Sequence, residues 1–201
     1  GDLAVLGGLD FREDCFEDMA VAKQDYKHTS SPFAPIVYKG TVLSKGKRTE
    51  RTRAAYTELK YGLTDFTTLT GNYRYDNISL RDQNKLTTVR RKDSFKVSSW
   101  RLGVDHSMAA NTSIYAGVST GFRAPALNEL ATNSGLDPEH ARNYEVGLRT
   151  QLPILGWNTS INGSLFHMRR KDFITSVAGQ NVNSNAIDDN IYDNIGDVVS
   201  Q

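Results

Sequence analysis

The chain has 201 residues, 38% hydrophobic and 23% charged, and its 24 Lys and Arg balance 23 Asp and Glu to a formal charge of +1. That balance excludes a disordered charged tail and a strongly basic nucleic-acid binder, so no nucleic-acid partner is expected. No apolar run reaches the roughly 18 residues of a membrane helix, but a barrel strand needs only about 9–11 alternating residues, and that route stays open.

The chain starts Gly1-Asp2-Leu3, with no Met, basic segment or cleavage site, and we read both ends as cuts inside a longer protein. Cys15 is the single cysteine, which excludes an internal disulfide, a zinc knuckle and a CxxC redox pair.

Taken in chain order, the period that recurs is two. Leu3, Val5, Leu9 and Phe11 share one parity, and Asp10, Arg12 and Asp14 the other. Residues 52 to 63 set Leu59, Tyr61 and Leu63 against Glu58 and Lys60, and residues 67 to 77 set Leu69, Tyr73 and Tyr75 against Asn72, Arg74 and Asp76. Trp100, Leu102 and Val104 then oppose Arg101 and Asp105. Residues 112 to 122 carry Ile114, Ala116, Val118 and Phe122 against Ser113, Tyr115, Gly117 and Ser119. Residues 143 to 150 carry Tyr144, Val146 and Leu148 against Asn143, Glu145 and Arg149, and 158 to 170 alternate more weakly.

The connections between these strands alternate between short and long. Residues 64 to 66, 107 to 111 and 153 to 157 predict short turns, and roughly 15 to 51, 78 to 94, 123 to 141 and 171 to 190 predict long loops. Short turns at one end, long loops at the other and a greasy face opposite a charged one describe an outer-membrane barrel with a polar lumen. Aromatics near strand ends, Phe11, Tyr75, Phe122 and Tyr144 on the long-loop side and Tyr61 and Trp157 on the other, suit its interfacial girdles. The expected fold is therefore all-β: an antiparallel transmembrane β-barrel, here a partial barrel of about eight meandering strands, with residues 1–201 part of one barrel domain.

Residues 115 to 149 include Gly121-Phe122-Arg123-Ala124-Pro125, then Leu127-Asn128-Glu129-Leu130, then Pro138-Glu139 and Asn143-Tyr144-Glu145 with Gly147. This resembles the C-terminal half of the barrel of TonB-dependent outer-membrane receptors, which carry GFRAP-x-LNEL followed by L-x-PE-x-x-x-NYE-x-G. Ser164 to Ile174 and Tyr192-Asp193-Asn194-Ile195-Gly196 are similar to the family's next two strands, so four blocks fall in family order. The resemblance implies a Gram-negative outer-membrane receptor that imports a scarce nutrient, most often a ferric siderophore, with energy delivered by the TonB complex. It also implies a full barrel of about 22 strands with a plugged lumen. Plug and TonB box are not visible in this sequence.

Candidate binding residues are the basic ones. Lys39, Lys45, Lys47, Arg48, Arg51 and Arg53 face one acid, Glu50, over residues 39 to 53, and Arg90, Arg91 and Lys92 form a second group. Either they gather an anionic ferric chelate by field focusing or they contact outer-membrane lipid and lipopolysaccharide; Arg51 and Arg53, on the lipid parity, suit the second role better. Arg123 has lumen parity; it either touches ligand or pairs with Glu145 or Glu129. The candidate ligand contacts are thus Lys45, Lys47, Arg48, Arg90, Arg91 and Arg123.

No cofactor or metal is expected. His28, His106, His140 and His167 are scattered, and Asp188, Asp189, Asn190 and Asp193 lack calcium-loop spacing. Haem-uptake members of the family pair the FRAP box with an NPNL box; here Asn133-Ser134-Gly135-Leu136 stands in its place, and haem remains an alternative cargo. An outer-membrane acyl hydrolase or acyltransferase is the rival from another class, but no catalytic Ser or His set is recognisable. A soluble lipid-carrying barrel is the third reading, separable by partition into detergent.

Overall fold

Alternating side chains make strands, and strands make up nearly all of the chain. The computed structural model describes residues 1–27, 35–154, 157–178 and 190–201. In order they form β1 (Leu3–Val21), β2 (Tyr26–Lys27), β3 (Ile36–Val37), β4 (Val42–Thr64), β5 (Thr67–Asn84), β6 (Arg90–Ala109), β7 (Thr112–Arg123), the short helix α1 (Leu127–Thr132), β8 (Glu139–Ile154), β9 (Trp157–Lys171), β10 (Phe173–Ala178), β11 (Asn190–Ile195) and β12 (Val198–Ser200). Eight strands make one sheet in the order β1-β4-β5-β6-β7-β8-β9-β12, while β10 pairs β11 and β2 pairs β3. This is the expected neighbour-to-neighbour meander of eight strands. Among the described residues no helix is long and apolar enough to cross a membrane, which says nothing of strands.

The polarity of the sheet is inverted relative to a water-soluble core. Leu165 is 77% and Trp157 78% exposed, while Asp76 is only 3% exposed. Leu3, Val5, Leu9, Leu59, Leu63, Leu102 and Leu148 are likewise open on the apolar parity. A continuous apolar face of this kind needs a non-aqueous neighbour, and lipid supplies it.

The short connections lie side by side. Ser107 N–H donates to the Phe66 carbonyl at 2.8 Å, and Gln151 N–H donates to the Asn111 carbonyl at 2.9 Å. The turns at 64 to 66, at 107 to 111 and the described part of 153 to 157 therefore share an end, as the connection lengths predict. Residues 155 and 156 lie outside the described residues.

Two of the expected long loops are corrected. Residues 15 to 21 continue β1 and 42 to 51 belong to β4, so the loop between them shrinks to the residues around β2 and β3. Residues 78 to 84 and 90 to 94 likewise belong to β5 and β6, joined by a tight turn in which Asn84 Oδ1 accepts from Leu86 N–H at 2.9 Å and Thr87 N–H at 3.1 Å. The stretches from 123 to 141 and 171 to 190 also hold structure, α1 in the first and β10 in the second. Strands of 19, 23, 18 and 20 residues, β1, β4, β5 and β6, are about twice what a membrane crossing needs.

The chain divides into two units. The first is Gly1–Asp10, Ala54–Asn77 and Phe95–Gln201; the second is Phe11–Arg53 and Ile78–Ser94, which holds the remaining lengths of the four long strands.

Strands β1 and β12 are the two ends of the sheet order, so each has one edge unpaired among the described residues. In hydrocarbon each unsatisfied backbone group costs on the order of several kcal/mol. Residues 1–201 alone are therefore expected to aggregate or need detergent. Single-channel conductance, or a heat-modifiable monomer band from this chain alone, is the outcome that contradicts this.

Candidate functional site

The polar face of the first unit is a set of cross-strand charge groups. Arg74 on β5 donates to Asp76 at 2.8 Å and reaches Asp10 of β1 at 2.9 Å. Glu58 of β4 takes Lys60 at 3.1 Å and accepts from Asn72 Nδ2 of β5. On β6 to β8, Asp105 pairs with Arg149 at 2.9 Å, Arg149 lies 4.1 Å over the Tyr115 ring, and Tyr115 Oη donates to Glu145 at 2.7 Å. All these residues were expected on one face, and their mutual contacts put them there. Gly147 sits opposite Tyr115 in the ladder, and a Cβ at 147 would overlap that ring. The motif glycine is thus the floor on which the tyrosine lies.

The motif blocks converge on Arg123. It ends β7 opposite Glu139, the first residue of β8, and its Nη2 donates to Glu139 Oε1 at 2.9 Å. Its Nη1 donates to both oxygens of Glu129 at 3.0 and 3.1 Å. Glu129 also accepts the Ala126 N–H at 2.7 Å, which anchors the first turn of α1 in the manner of half a capping box. Glu139 accepts the Ile174 N–H at 2.8 Å, tying β10 to the same point. Asn194 of β11 closes the knot: its Oδ1 accepts from Asp137 N–H at 2.9 Å, and its Nδ2 donates to the Asp137 and Asp172 carbonyls at 3.0 and 2.6 Å. Pro125 is fully buried, and Leu130, Leu136 and Ile174 are each 5% exposed or less.

Of the two pairings expected for Arg123, Glu129 is found and Glu145 is not, because Glu145 lies deeper in the ladder and accepts from Tyr115. Glu139 is the partner that sequence reasoning missed, although its place in the Pro138-Glu139 motif was the available signal. Both Nη atoms of Arg123 are occupied by carboxylates whose side chains are about a tenth exposed, while Arg123 itself is 44% exposed.

The basic candidates stand on strands of the second unit, not in loops. Lys45, Lys47 and Arg48 are on β4, and Arg90 and Arg91 begin β6. Lys47 pairs with Glu17 at 3.3 Å, a carboxylate also taken by Lys85 at 3.3 Å, and Arg48 lies 3.8 Å from Asp82. Arg51 pairs with Glu13 at 2.8 Å. Hydrogen bonds from Lys47 and Lys85 hold the Glu17 carboxyl below its ordinary range, as the Arg51 hydrogen bond does for Glu13. These pairings hold above the ordinary carboxyl range and loosen as pH falls through the lowered values. Lys45 and Arg90 make no ion pair among the described residues.

The histidines are not gathered. His106 bonds Thr67 Oγ1 at 2.9 Å near the turns, His140 and His167 lie on the apolar parity, and His28 lies outside the described residues. Asp188 and Asp189 also lie outside them. Among the described residues no three His, Cys, Asp or Glu side chains group as a metal site.

A family model described as TonB dependent receptor-like, beta-barrel, matches residues 3–201. Among curated proteins, the vitamin B12 transporter BtuB of Photobacterium profundum is 31% identical over 65 residues, 30% of this chain and 11% of that protein, and BtuB of Vibrio vulnificus is 34% identical over 64 residues. The matched segment is thus about a tenth of these relatives' length. Among solved structures, the ferric-catecholate import receptor Fiu of E. coli K12 has a TM-score of 0.67 at 14% identity, over 97% of this chain and 31% of that one. The copper transporter OprC has 0.63 at 17% identity, over 87% and 29%, and the alcaligin receptor FauA of Bordetella pertussis has 0.58 at 16% identity, over 98% and 36%.

Two substitutions test this geometry. Arg123→Gln leaves two poorly exposed carboxylates without a cation, a cost of about 3 kcal/mol at the low end for a broken buried pair. Hydrogen exchange at the Ala126 and Ile174 amides should speed up about 100-fold, while Val104 and Ala116 in the sheet stay protected. Gly147→Ala pushes a methyl into the Tyr115 ring and should destabilise by about 1–3 kcal/mol. In a Tyr115→Ala background the same change should cost much less, as urea midpoints of the lipid-reconstituted proteins would report.

Proposed function

We propose that this chain, which belongs to the TonB-dependent receptor-like β-barrel family, forms part of the barrel wall of a receptor that gathers an anionic ferric chelate and imports it with energy delivered by the TonB complex. The family places the chain in the outer membrane of a Gram-negative bacterium.

One observation carries the choice of an anionic cargo. The second unit holds 14 Lys and Arg against eight Asp and Glu, a net of +6, in a chain whose total is only +1. Its ion pairs leave that excess in place, since one carboxylate, Glu17, serves two lysines. Exposed charge of one sign raises the local concentration of opposite charge and speeds encounter. Lys45, Lys47, Arg48, Arg90 and Arg91 are the side chains assigned to this steering; Arg123, held by Glu129 and Glu139, is assigned the placement of the loops around the mouth.

Cobalamin is the second reading for the cargo, favoured by the curated relatives, which are named as vitamin B12 transporters.

Replacing Lys45, Lys47, Arg48, Arg90 and Arg91 with Gln should slow capture of a ferric siderophore about tenfold at low salt and flatten its salt dependence, because exposed charges are screened beyond about 10 Å at 0.1 M salt. The dissociation rate should change less. Unchanged association with an unchanged salt slope sinks the steering role, and capture of cobalamin or haem with no ferric siderophore bound moves the cargo to one of those.

A further inference from the structure

The pairing of β9 with β12 and the pairing of β10 with β11 keep one register. Arg170 of β9 faces Val198 of β12, and Phe173 of β10 faces Ile195 of β11, so each step forward on one strand is matched by a step back on the other. The two ladders are halves of a single long hairpin. Only the rungs of Lys171 with Asp197 and Asp172 with Gly196 are missing between them. A β-bulge would insert a residue in one strand and shift the register. Here nothing is inserted, and the interruption is a bend through both strands at the same level.

The backbone at that level is suited to a hinge. Asp172 has a φ of 56°, a left-handed conformation that a side chain with a β-carbon disfavours. Across the missing rung, a Cβ on Gly196 would meet no atom within 4 Å. A strained residue thus stands opposite an unhindered one, each at the end of a strand, and hinges are a few such positions that absorb a change in φ and ψ.

Beyond the bend, β10 and β11 are held against α1 and its flanking residues by a set of latches. Ile174 N–H donates to Glu139 at 2.8 Å, Tyr192 N–H donates to Thr132 Oγ1 at 3.2 Å, and Asn133 Nδ2 donates to the Tyr192 carbonyl at 3.1 Å. Asn194 reaches Asp137 on one side and the carbonyl of the hinge residue Asp172 on the other. Every one of these bonds has a side chain at one end, while β10 and β11 hold each other through their ladder. Water can replace the former at small net cost, and the ladder moves intact.

We propose that β10 and β11 form a flap with two positions, bent onto α1 as in this structure and upright, with the two missing rungs closed and the whole hairpin straight. Upright, one strand runs unbroken from Trp157 to Ala178, a length like those of β4 and β6. Raising the flap withdraws Ile174 from the apolar core it shares with Pro125, Leu130 and Leu136 and uncovers the end of α1. The inference does not depend on which cargo the barrel carries.

The test is double spin labelling of lipid-reconstituted protein in a Cys15→Ser background, at two pairs of exposed positions, Asn128→Cys with Ser176→Cys and Ser164→Cys with Ser176→Cys. In the upright flap positions 164 and 176 lie on one straight strand, about 40 Å apart at about 3.3 Å per residue. In the bent flap both pairs are closer. Asn194→Ala should raise the ratio of upright to bent about tenfold, since it removes the bonds to Asp137 and Asp172 and leaves the ladder alone. Asp172→Gly, which relieves the left-handed strain, should favour the bent position, and Asp172→Val, which opposes that conformation, the upright one. Short distances unchanged in all three variants overturn the proposal, as does the same response to Gly and Val at 172. A broad distribution in Asn194→Ala, with no peak near 40 Å, also overturns it, because the strands would then be coming loose and not straightening.

Discussion

A strand in hydrocarbon must find every backbone hydrogen bond in its neighbours, and its pleat sends successive side chains to opposite sides. Half the residues therefore meet lipid and half meet water, whatever their order in the chain. In this sheet the lipid half is Leu, Val, Ile and aromatic, and the wet half has to match its own charges across strands. Asp10, Arg74 and Asp76 do so over β1 and β5, and Asp105, Arg149, Tyr115 and Glu145 over β6 to β8. The glycine at 147 follows from the same constraint, since the ring of Tyr115 can lie flat on the wall only where no side chain stands beneath it.

Where the strands leave the membrane that constraint lapses, and Arg123 takes over the ordering. One guanidinium fixes the start of α1 through Glu129, the start of β8 through Glu139 and, through the same Oε1 of Glu139, the start of β10. Residues that are widely separated in the chain are brought to one point by the hydrogen bonds of two carboxylates, Glu129 and Glu139. The surrounding apolar core is small, chiefly Pro125, Leu130, Leu136 and Ile174, so the knot depends on its polar contacts.

The eight-stranded meander was legible because hydrophobic contrast with a period of two survives wherever one face meets lipid. Beyond the crossing length both faces meet water, the contrast vanishes, and residues 15 to 21, 42 to 51 and 78 to 94 read as loops although most of them continue strands. A different signal was present there. Glu13 meets Arg51, Cys15 meets Thr49 and Glu17 meets Lys47, contacts that step by two in opposite directions along β1 and β4. An acidic run facing a basic run in reverse order is an antiparallel ladder written in charge. At the Arg123 knot the sequence supplied Glu129 but not Glu139, because local spacing points to the acid six residues away and not to the one across the ladder.

The cations of this chain sort by whether a carboxylate of the same protein answers them. Arg74, Arg123 and Arg149 are answered, and they hold strands and loops in place. In the second unit the acids are too few for the bases, so a long-range positive field persists beside well-made ion pairs. On the lipid parity of β8 and β9 Arg142 and Arg169 make no ion pair among the described residues, and they stand one rung beyond an aromatic pair. The same residue type thus holds strands and loops in place or adds to a long-range field according to the face and the length of strand on which the alternation places it.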